Sequence, residues 1–342
     1  MKKTLFYAIL LFFSASISAI MGEGILRLVD YQPQILIPPY LYDNHPKSWW
    51  TLRPGFKGSI KRGDNIVDYN INSQGIRAPF DIPHKSDDRQ SLFIIGDSFT
   101  FGWGVNEDDS YARILANKLK KKDLAVDVVN LGVAGFGTMQ SYERLAEYAQ
   151  RLGSPDAIIY MFCPNDPADN IAGKKTVVDG IRMNANWKHK WLFVRISHAY
   201  HYSRLVAFFA DFYMKYHGNP RRKITDKYNN SQQNVEELPP FIATKGYVKQ
   251  LINWAKERDI PLLVGTTSKS DYSKPLRRFL SKNKIQMFEV EDIFINNKLN
   301  KDAIMNPKPD GHWNQLGNSL VASKIEQIII DNHWFATSQP AR

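Results

Sequence analysis

Short apolar runs alternate with amphipathic stretches along most of the chain, a pattern typical of a parallel sheet with helices on both faces. The predicted strands are 91–96, 125–131, 156–162, 260–267 and 285–290. The predicted helices are 109–122, 139–152, 241–258 and 272–283, and a last helical stretch runs from Asn318 to about Asp331. The pattern therefore predicts an α/β domain, which we place at 89–335, with a short tail at 336–342.

The N-terminal region has a different pattern. Lys2 and Lys3 precede an uncharged apolar run over 5–21, which is typical of a secretory signal or of an uncleaved signal anchor. Small residues within the run would suit cleavage, but apolar residues continue beyond them. We therefore expect an anchor over 1–27, with the lysines on the cytoplasmic side and the following domain across the membrane.

The segment 28–88 is rich in proline and aromatic residues and is predicted to be an extended lead-in that ends in a β-hairpin. Residues 67–72 alternate like a strand, and a Ser-Gln-Gly turn follows. Ile76 and Arg77 are then predicted to return as the second strand, against the edge of the sheet. Arg77 lies either at the surface or within reach of a substrate carboxylate.

An insert at 167–240 interrupts the alternating pattern and combines aromatic with basic side chains. One interpretation is a helical subdomain packed on its neighbour. The other is an amphipathic lid that contacts lipid or a glycan. Within it, 229–234 is predicted to be a polar linker. The aromatic and basic residues are Trp187, Trp191, Phe193, Tyr200, Tyr202, Phe208, Phe209, Phe212, Tyr213, Tyr216, Lys188, Lys190, Arg195, Arg204, Lys215, Arg221, Arg222 and Lys223.

Composition narrows the classes of protein. The 342 residues carry a net charge of +11 and a single cysteine, which excludes an intrachain disulfide. A basic chain can bind nucleic acid, but no nucleic-acid motif is present and the protein is expected to be exported, so we expect no nucleic-acid partner. The positive charge is better explained by binding to acidic lipid headgroups or to anionic envelope polysaccharides, or by a general role in solubility. We expect neither a cofactor nor a metal, and we interpret His198 and His201 as surface or packing residues.

Four polar segments lie where predicted strands end or where the last helix begins. Gly96-Asp97-Ser98 follows the first strand of the domain, although Asp-Ser after a strand is also an ordinary helix N-cap. A glycine-rich segment starts at Asn130, Asn165-Asp166 follows the third strand, and Asp310-Gly311-His312 precedes the last helix. Since parallel strands end at one edge, these segments bring together a nucleophile, a base, a carboxylate and oxyanion donors. Together they predict acyl transfer.

These segments resemble the four blocks of the SGNH (GDSL-type) hydrolase family, which is named for a Ser, a Gly, an Asn and a His. The resemblance implies a flavodoxin-like three-layer α/β/α fold and a serine esterase. It implies that Ser98 is the nucleophile, His312 the general base and Asp310 the carboxylate that orients it. It also implies an oxyanion hole formed by the Ser98 N–H, the Gly135 N–H and the Asn165 side chain.

Asp97 and Asp166 are expected to support the catalytic loops through backbone hydrogen bonds, rather than to form a carboxylate pair for glycoside hydrolysis. The sequence departs from the family pattern twice. Cys163 stands where the third block usually has glycine, and one residue rather than two separates Asp310 from His312. The short gap followed by His-Trp resembles a branch that contains cell-envelope polysaccharide acetyl-handling proteins.

The expected function is cleavage of an O-acyl ester, with acetyl as the expected acyl group, on a cell-envelope glycan or lipid. One alternative is an O-acyltransferase that uses the same triad, in which a sugar hydroxyl replaces water. Another is a catalytically inactive binding module of the envelope. The expected location is membrane-anchored on the non-cytoplasmic side, or secreted if the signal is cleaved.

Overall fold

A computed structural model describes residues 2–34, 37–62, 65–86, 89–187, 191–217, 234–307 and 310–336. Several residues named from the sequence lie outside the described residues: Lys188, Lys190, Arg221, Arg222, Lys223, the linker at 229–233 and the tail from 337.

The strands are β1 Tyr42–His45, β2 Trp49–Leu52, β3 Lys57–Arg62, β4 Asn65–Asn70, β5 Gln90–Gly96, β6 Val126–Asn130, β7 Ala157–Phe162, β8 Lys175–Val178, β9 Ile181–Asn184, β10 Leu262–Thr266 and β11 Gln286–Glu289. The helices are α1 Lys2–Leu28, α2 Ser98–Phe101, α3 Tyr111–Lys120, α4 Thr138–Leu152, α5 Asp166–Ile171, α6 Trp191–Tyr202, α7 Arg204–His217, α8 Pro239–Lys256, α9 Ser273–Lys282, α10 Val290–Asn296, α11 Lys301–Ile304 and α12 Gln315–Asp331. Short 3₁₀ turns occur at Glu107–Asp109, Ala185–Trp187 and Val235–Glu237.

The central sheet has five parallel strands in the order β11-β10-β7-β5-β6. Numbered along the chain within the sheet, this order is 2-1-3-4-5 read from β6, which is the flavodoxin-like order. The predicted α/β/α fold is therefore confirmed. All five strands end at the same edge, where the four polar segments meet.

Both faces of the sheet are buried, as a parallel sheet requires. Along β5, Leu92 and Ile94 face the layer that contains α3 and α12. Phe93 and Ile95 alternate with them and face the layer that contains α4 and α8. This alternation explains why the strands are continuous apolar runs in the sequence.

Helix boundaries differ from the predictions where a polar side chain caps the first turn. The last helix begins at Gln315, three residues earlier than predicted, because the Asn314 side chain accepts a hydrogen bond from the Gly317 N–H at 3.0 Å. In contrast, α3 begins after the predicted position, since Ser110 caps it and the preceding residues form a 3₁₀ turn.

The predicted lead-in at 28–88 was wrong in two respects. It contains two antiparallel hairpins, β1–β2 and β3–β4, instead of one extended segment. The strand predicted at 67–72 pairs with β3, which precedes it, and not with Ile76 and Arg77. These hairpins form a third apolar cluster with side chains at the sheet edge, including Phe101 of α2 and Phe136.

The insert is only partly helical, which corrects the prediction for 167–240. It begins with α5 and the hairpin β8–β9, which packs beside β1–β2. The Asn44 side chain donates to the Val177 carbonyl at 2.7 Å and accepts from the Val177 N–H at 2.8 Å. Helices α6 and α7 follow, and α7 packs against α1. The insert therefore connects the sheet edge with the N-terminal helix.

Helix α1 continues beyond the predicted apolar run, from Lys2 to Leu28. Among the described residues, it alone is long and apolar enough to cross a membrane. Its 27 residues extend about 40 Å at 1.5 Å per residue. Large apolar side chains along it, such as Leu11 and Phe12, are exposed to solvent.

Candidate active site

Ser98 is the first residue of the short helix α2, directly after β5. Asp97 is the N-cap of this helix, and its side chain accepts a hydrogen bond from the Phe99 N–H at 3.0 Å. The N-cap interpretation therefore holds for Asp97, while Ser98 stays the predicted nucleophile. The cap fixes the turn, and the Ser98 side chain, partly exposed, projects from it at the carboxyl edge of the sheet.

His312 and Asp310 reach Ser98 from the loop before α12. The Ser98 Oγ lies 2.8 Å from His312 Nε2, and His312 Nδ1 lies 2.8 Å from Asp310 Oδ1. Nδ1 also lies 3.0 Å from the Asp310 carbonyl oxygen. Since both neighbours of Nδ1 are acceptors, we assign the proton to Nδ1, which leaves Nε2 to accept from the Ser98 hydroxyl. The Asp310 side chain is 2% exposed.

The one-residue gap between Asp310 and His312 is compatible with this geometry. The His312 N–H donates to Asp310 Oδ1 at 3.1 Å, so the carboxylate binds both the backbone and the ring of the same residue. Phe99 packs on the imidazole, with ring centroids 4.8 Å apart, and also on the buried Trp313 at 4.6 Å. Aromatic packing and two hydrogen bonds together fix the ring orientation.

The second polar segment, which starts at Asn130, lies against the turn that carries Ser98. The Asn130 side chain donates to the Thr100 carbonyl at 2.8 Å and accepts from the Gly132 N–H at 3.0 Å. A Cβ at Gly132 would lie 2.4 Å from the Phe101 nitrogen, so only glycine allows this approach. Gly135 follows with φ +83°, a conformation that favours glycine.

Asn165 follows β7 and is the N-cap residue of α5. Its Nδ2 donates to Asp169 Oδ2 at 2.8 Å. An amide nitrogen carries two protons, so Asp169 accepts one and orients the other. Sequence analysis did not identify Asp169, although the spacing of four residues places it on the same helix face as Asn165.

The two supporting aspartates are buried behind the site. Asp166 Oδ2 accepts from the Tyr160 hydroxyl at 2.5 Å and from the Cys163 N–H at 3.3 Å. Burial, followed by the nearby charge of Asp97, raises the pKa of Asp166 well above its usual range. Burial likewise raises the pKa of the Cys163 thiol. Cys163, at the position where glycine is usual, is thus an inert buried side chain.

Arg77 neither lies at the surface nor points to a substrate, which corrects both interpretations of it. It is 1% exposed, and its guanidinium donates to the carbonyls of Gly102 at 2.6 Å, Val105 at 2.7 Å and Asp68 at 2.8 Å. It also donates to the Phe101 carbonyl at 3.1 Å. Desolvation lowers its pKa to about 10. Arg77 therefore fastens the loop that follows Ser98 to β4.

Arg182, on β9 of the insert, was not identified from the sequence. Its Nη1 donates to the Ala134 carbonyl at 2.6 Å, and a Cβ at Gly135 would lie 2.5 Å from the same nitrogen. The guanidinium stacks over the rings of Tyr42 and Trp50. A basic side chain from the insert thus covers the turn that carries the Gly135 N–H. Nothing local in the sequence relates these two positions.

The two histidines singled out in the sequence lie on α6. His198 approaches Asp179 at 3.8 Å, and burial lowers the pKa of His201. Within the described ranges, no group of three His, Cys, Asp or Glu residues is arranged to hold a metal ion.

The sequence and the structure were also compared with those of known proteins. Residues 94–318 match the model of the GDSL-like Lipase/Acylhydrolase family, a range that contains all four segments. The structure is similar to the psychrotrophic esterase EstA from Pseudoalteromonas sp., with 10% identity, 71% of this chain and 98% of that chain covered, and a TM-score of 0.41. It is similar to a lipolytic protein of the G-D-S-L family from Veillonella parvula, with 10% identity, coverage of 70% and 98%, and a TM-score of 0.40. No curated protein sequence matches the chain significantly.

Proposed function

Since the chain belongs to the GDSL-like lipase/acylhydrolase (SGNH hydrolase) family of carboxylic ester hydrolases, we propose that Ser98, His312 and Asp310 form its catalytic triad. The observation that supports this proposal best is the continuous hydrogen-bond chain from the Ser98 Oγ through the imidazole to the Asp310 carboxylate, with both links at 2.8 Å. This is the arrangement by which a serine hydroxyl is activated at neutral pH.

In the first half of the proposed reaction, Ser98 Oγ attacks the carbonyl carbon of the ester while its proton moves to His312 Nε2. The imidazolium is stabilised by the buried Asp310 carboxylate, which stays ionised. The tetrahedral intermediate then collapses, the bond to the alcohol oxygen breaks, and Nε2–H protonates the leaving alkoxide. The acyl group remains on Ser98 Oγ. In the second half, water attacks the acyl carbon while His312 Nε2 takes its proton. The bond to Ser98 Oγ then breaks, Nε2–H returns the proton to Oγ, and the carboxylic acid leaves.

The negative charge that develops on the carbonyl oxygen needs donors already in place. We assign this role to the N–H groups of Ser98 and Gly135 and to the Asn165 side chain. Each such donor stabilises the transition state by about 3 kcal/mol. Asp169 and Arg182 are then positioning residues, since they contact Asn165 and the Ala134–Gly135 turn respectively. Asp97 and Asp166 hold the loops from behind.

We further propose that α1 is retained as a membrane anchor, with the hydrolase domain at 89–335 on the non-cytoplasmic side. Two contacts support retention. The Glu23 side chain accepts from the backbone N–H groups of Arg204 and Leu205 at 3.1 and 2.9 Å. Arg27 donates to the Tyr202 carbonyl at 2.9 Å. Cleavage between Glu23 and Arg27 would remove the first contact, and cleavage beyond Arg27 would remove both.

The proposed substrate is an O-acyl ester, acetyl first, on an envelope glycan or lipid. The proposed non-cytoplasmic location and the resemblance of the His-Trp segment to polysaccharide acetyl-handling proteins support this class. The triad chemistry does not depend on the alcohol portion of the ester, so the triad alone does not identify the glycan or lipid that carries the acyl group.

The test is covalent labelling of the full-length protein in detergent with a fluorophosphonate probe, which reacts with activated serines. We expect labelling of the wild type and no labelling of Ser98→Ala or His312→Ala. Hydrolysis of acetylated oligosaccharides is then followed by release of acetate.

Three outcomes separate the functions considered for this chain. Labelling with acetate release supports the esterase. Labelling in which an added oligosaccharide gains acyl mass instead points to a transferase. A folded wild-type protein that stays unlabelled contradicts the triad proposal and favours a binding module.

A further inference from the structure

Helix α7 exposes a continuous aromatic face. Its exposed large side chains are Phe208, Phe209, Phe212, Tyr213 and Tyr216. They recur at intervals of one and then three residues, which places all five on one side of an α-helix. Clustered exposed aromatic side chains of this kind mark an interaction surface.

The opposite side of α7 is buried and includes one acidic side chain. Ala207 is fully buried, and Asp211 is 3% exposed. The Asp211 carboxylate accepts from the hydroxyls of Tyr31 at 2.6 Å and Tyr200 at 2.8 Å. These hydrogen bonds fix the orientation of α7 about its own axis. The helix is packed on the protein through its inner side, and its aromatic side faces outward.

Helix α6 extends this surface. Trp191, Leu192, Ile196 and Tyr202 are exposed along it, and α6 packs directly on α7. Tryptophan and tyrosine combine an apolar ring with a polar group, which suits them to the boundary between lipid and water. We call the exposed sides of α6 and α7 together the aromatic platform.

The platform begins where α1 ends. Glu23 caps the first turn of α7, because it accepts from the Arg204 and Leu205 N–H groups. Close packing supports the same junction, since a Cβ at Gly22 would lie 3.1 Å from the Leu205 side chain. Tyr31, just after α1, packs edge-on against Phe208 at 5.5 Å. The aromatic face is thus fixed beside the last turns of the exposed apolar helix.

The charge of the platform fits an acidic surface. Within α6 and α7 the acidic residue is Asp211, which is buried, whereas Arg195 and Lys215 are exposed. A helix with aromatic side chains on one side and basic residues at its border binds the headgroup region of anionic membranes.

We propose that the aromatic platform lies on the lipid bilayer that α1 enters, with its aromatic side chains at the headgroup level. This inference rests on the proposal that α1 is a retained anchor. The platform adds a second, lateral contact to the anchor, and it fixes the orientation of the hydrolase domain relative to the membrane, because α6 also packs on β9.

The test places an environment-sensitive fluorophore on single introduced cysteines of the full-length protein in phosphatidylcholine–phosphatidylglycerol vesicles. The sites are Phe212→Cys on the platform, Phe12→Cys in α1, and Ile295→Cys as a matched exposed apolar position on α10. The native Cys163 is buried with a raised thiol pKa and stays unlabelled at neutral pH. Quenching is measured with spin-labelled lipids and with aqueous iodide.

We expect the lipid quencher to remove most of the fluorescence at positions 12 and 212 and little at 295. Quenching at 12 without quenching at 212 would overturn the platform while leaving the anchor intact. Absence of quenching at 12 would refute the anchor itself. A probe at 212 that neither lipid quencher nor iodide reaches would mean that protein, such as a second copy, covers the platform. Hydrolysis of nitrophenyl acetate by the same labelled samples reports the triad separately.

Discussion

Removing the Arg77 side chain tests whether the loop after Ser98 is held from outside the hydrolase sheet. We consider Arg77→Met, which keeps an unbranched side chain of similar length but deletes the guanidinium. Three carbonyl oxygens, on Gly102, Val105 and Asp68, lie 2.6 to 2.8 Å from that group. The variant would remove this donor from all three carbonyls in a buried site, and Gly102 would keep only a longer contact with the Val105 N–H at 3.4 Å.

The expected loss of stability follows from these contacts. A buried acceptor left without a partner costs about 1–3 kcal/mol. Three carbonyls that partly rehydrate therefore predict a loss of about 4 kcal/mol. For a domain of this size that corresponds to a fall in the unfolding midpoint of about 10 °C.

Activity should fall as well, at temperatures where the variant is still folded. The loop carries Gly104, whose N–H donates to the Tyr69 hydroxyl at 3.1 Å and whose carbonyl accepts from Asn306 at 3.1 Å. A Cβ at Gly104 would lie 2.6 Å from the Asp310 carboxylate, so the loop directly supports the histidine segment. A displacement near 1 Å can lower kcat by about 100-fold.

Thermal unfolding of the detergent-solubilised protein and hydrolysis of nitrophenyl acetate measure the two effects. Arg277→Met is the matched control, because Arg277 is exposed and pairs with Glu289 at 2.6 Å. Its loss should change the stability by less than about 1 kcal/mol. Arg77→Lys should recover only part of the loss, since an ammonium cannot reproduce the planar fork. If Arg77→Met unfolds at the same temperature as Arg277→Met, the structural role derived for Arg77 is wrong.

Three further outcomes are expected. Asp310→Asn should lower kcat by about 10⁴-fold with little change in KM, because the amide no longer selects the Nδ1–H tautomer; near-normal turnover would contradict the triad. Asn165→Ala should lower kcat by about 10²–10³-fold, and Asp169→Ala by less, in steady-state assays with the same ester; equal activity of all three proteins would argue against this donor. Asp166 has a raised pKa in the folded protein, so its contribution to stability is complete below the unfolded value of about 4 and is lost as the pH rises through the folded pKa. As the pH rises over this range, the free energy of unfolding of Asp166→Asn should therefore fall less than that of the wild type, as measured by denaturant titration at each pH. If the two proteins show parallel dependence on pH, the raised pKa of Asp166 is wrong.

Much of the fold could be predicted because the spacing of apolar and polar residues within each segment indicates a strand or a helix. Continuous apolar runs are required where both faces of a parallel sheet are covered, and β5 satisfies this with side chains that alternate between the two helical layers. The polar residues that interrupt these runs fall at strand ends for the same reason. Ser98 and Asn165 could therefore be named as candidates from the sequence, since each lies within three residues of the end of a buried strand.

The hairpins were less predictable because their pairing depends on contacts distant in the sequence. Apolar and polar residues alternate along β4 in the same way whether this strand pairs with the preceding or the following segment. Because β4 pairs with β3, Arg77 is not part of a strand and its side chain turns inward. A buried arginine is uncommon unless most of its guanidinium donors have acceptors. Its four partners are backbone carbonyls, which carry no side-chain signal, so the sequence alone favoured the surface.

The role of Glu23 shows the same limit and joins the two ends of the molecule. A carboxylate that caps a helix normally lies within three residues of the capped N–H groups, whereas Glu23 caps α7 from about 180 positions away. From α7 the packing continues through α6 to β9, and Arg182 on β9 binds the Ala134 carbonyl beside Gly135. A chain of direct contacts thus connects the end of the apolar helix to the turn proposed to bind the oxyanion. The insert is therefore the structural link between the N-terminal apolar helix and the candidate active site. This explains why it combines a β-hairpin, which packs at the sheet edge, with a helix that packs on α1.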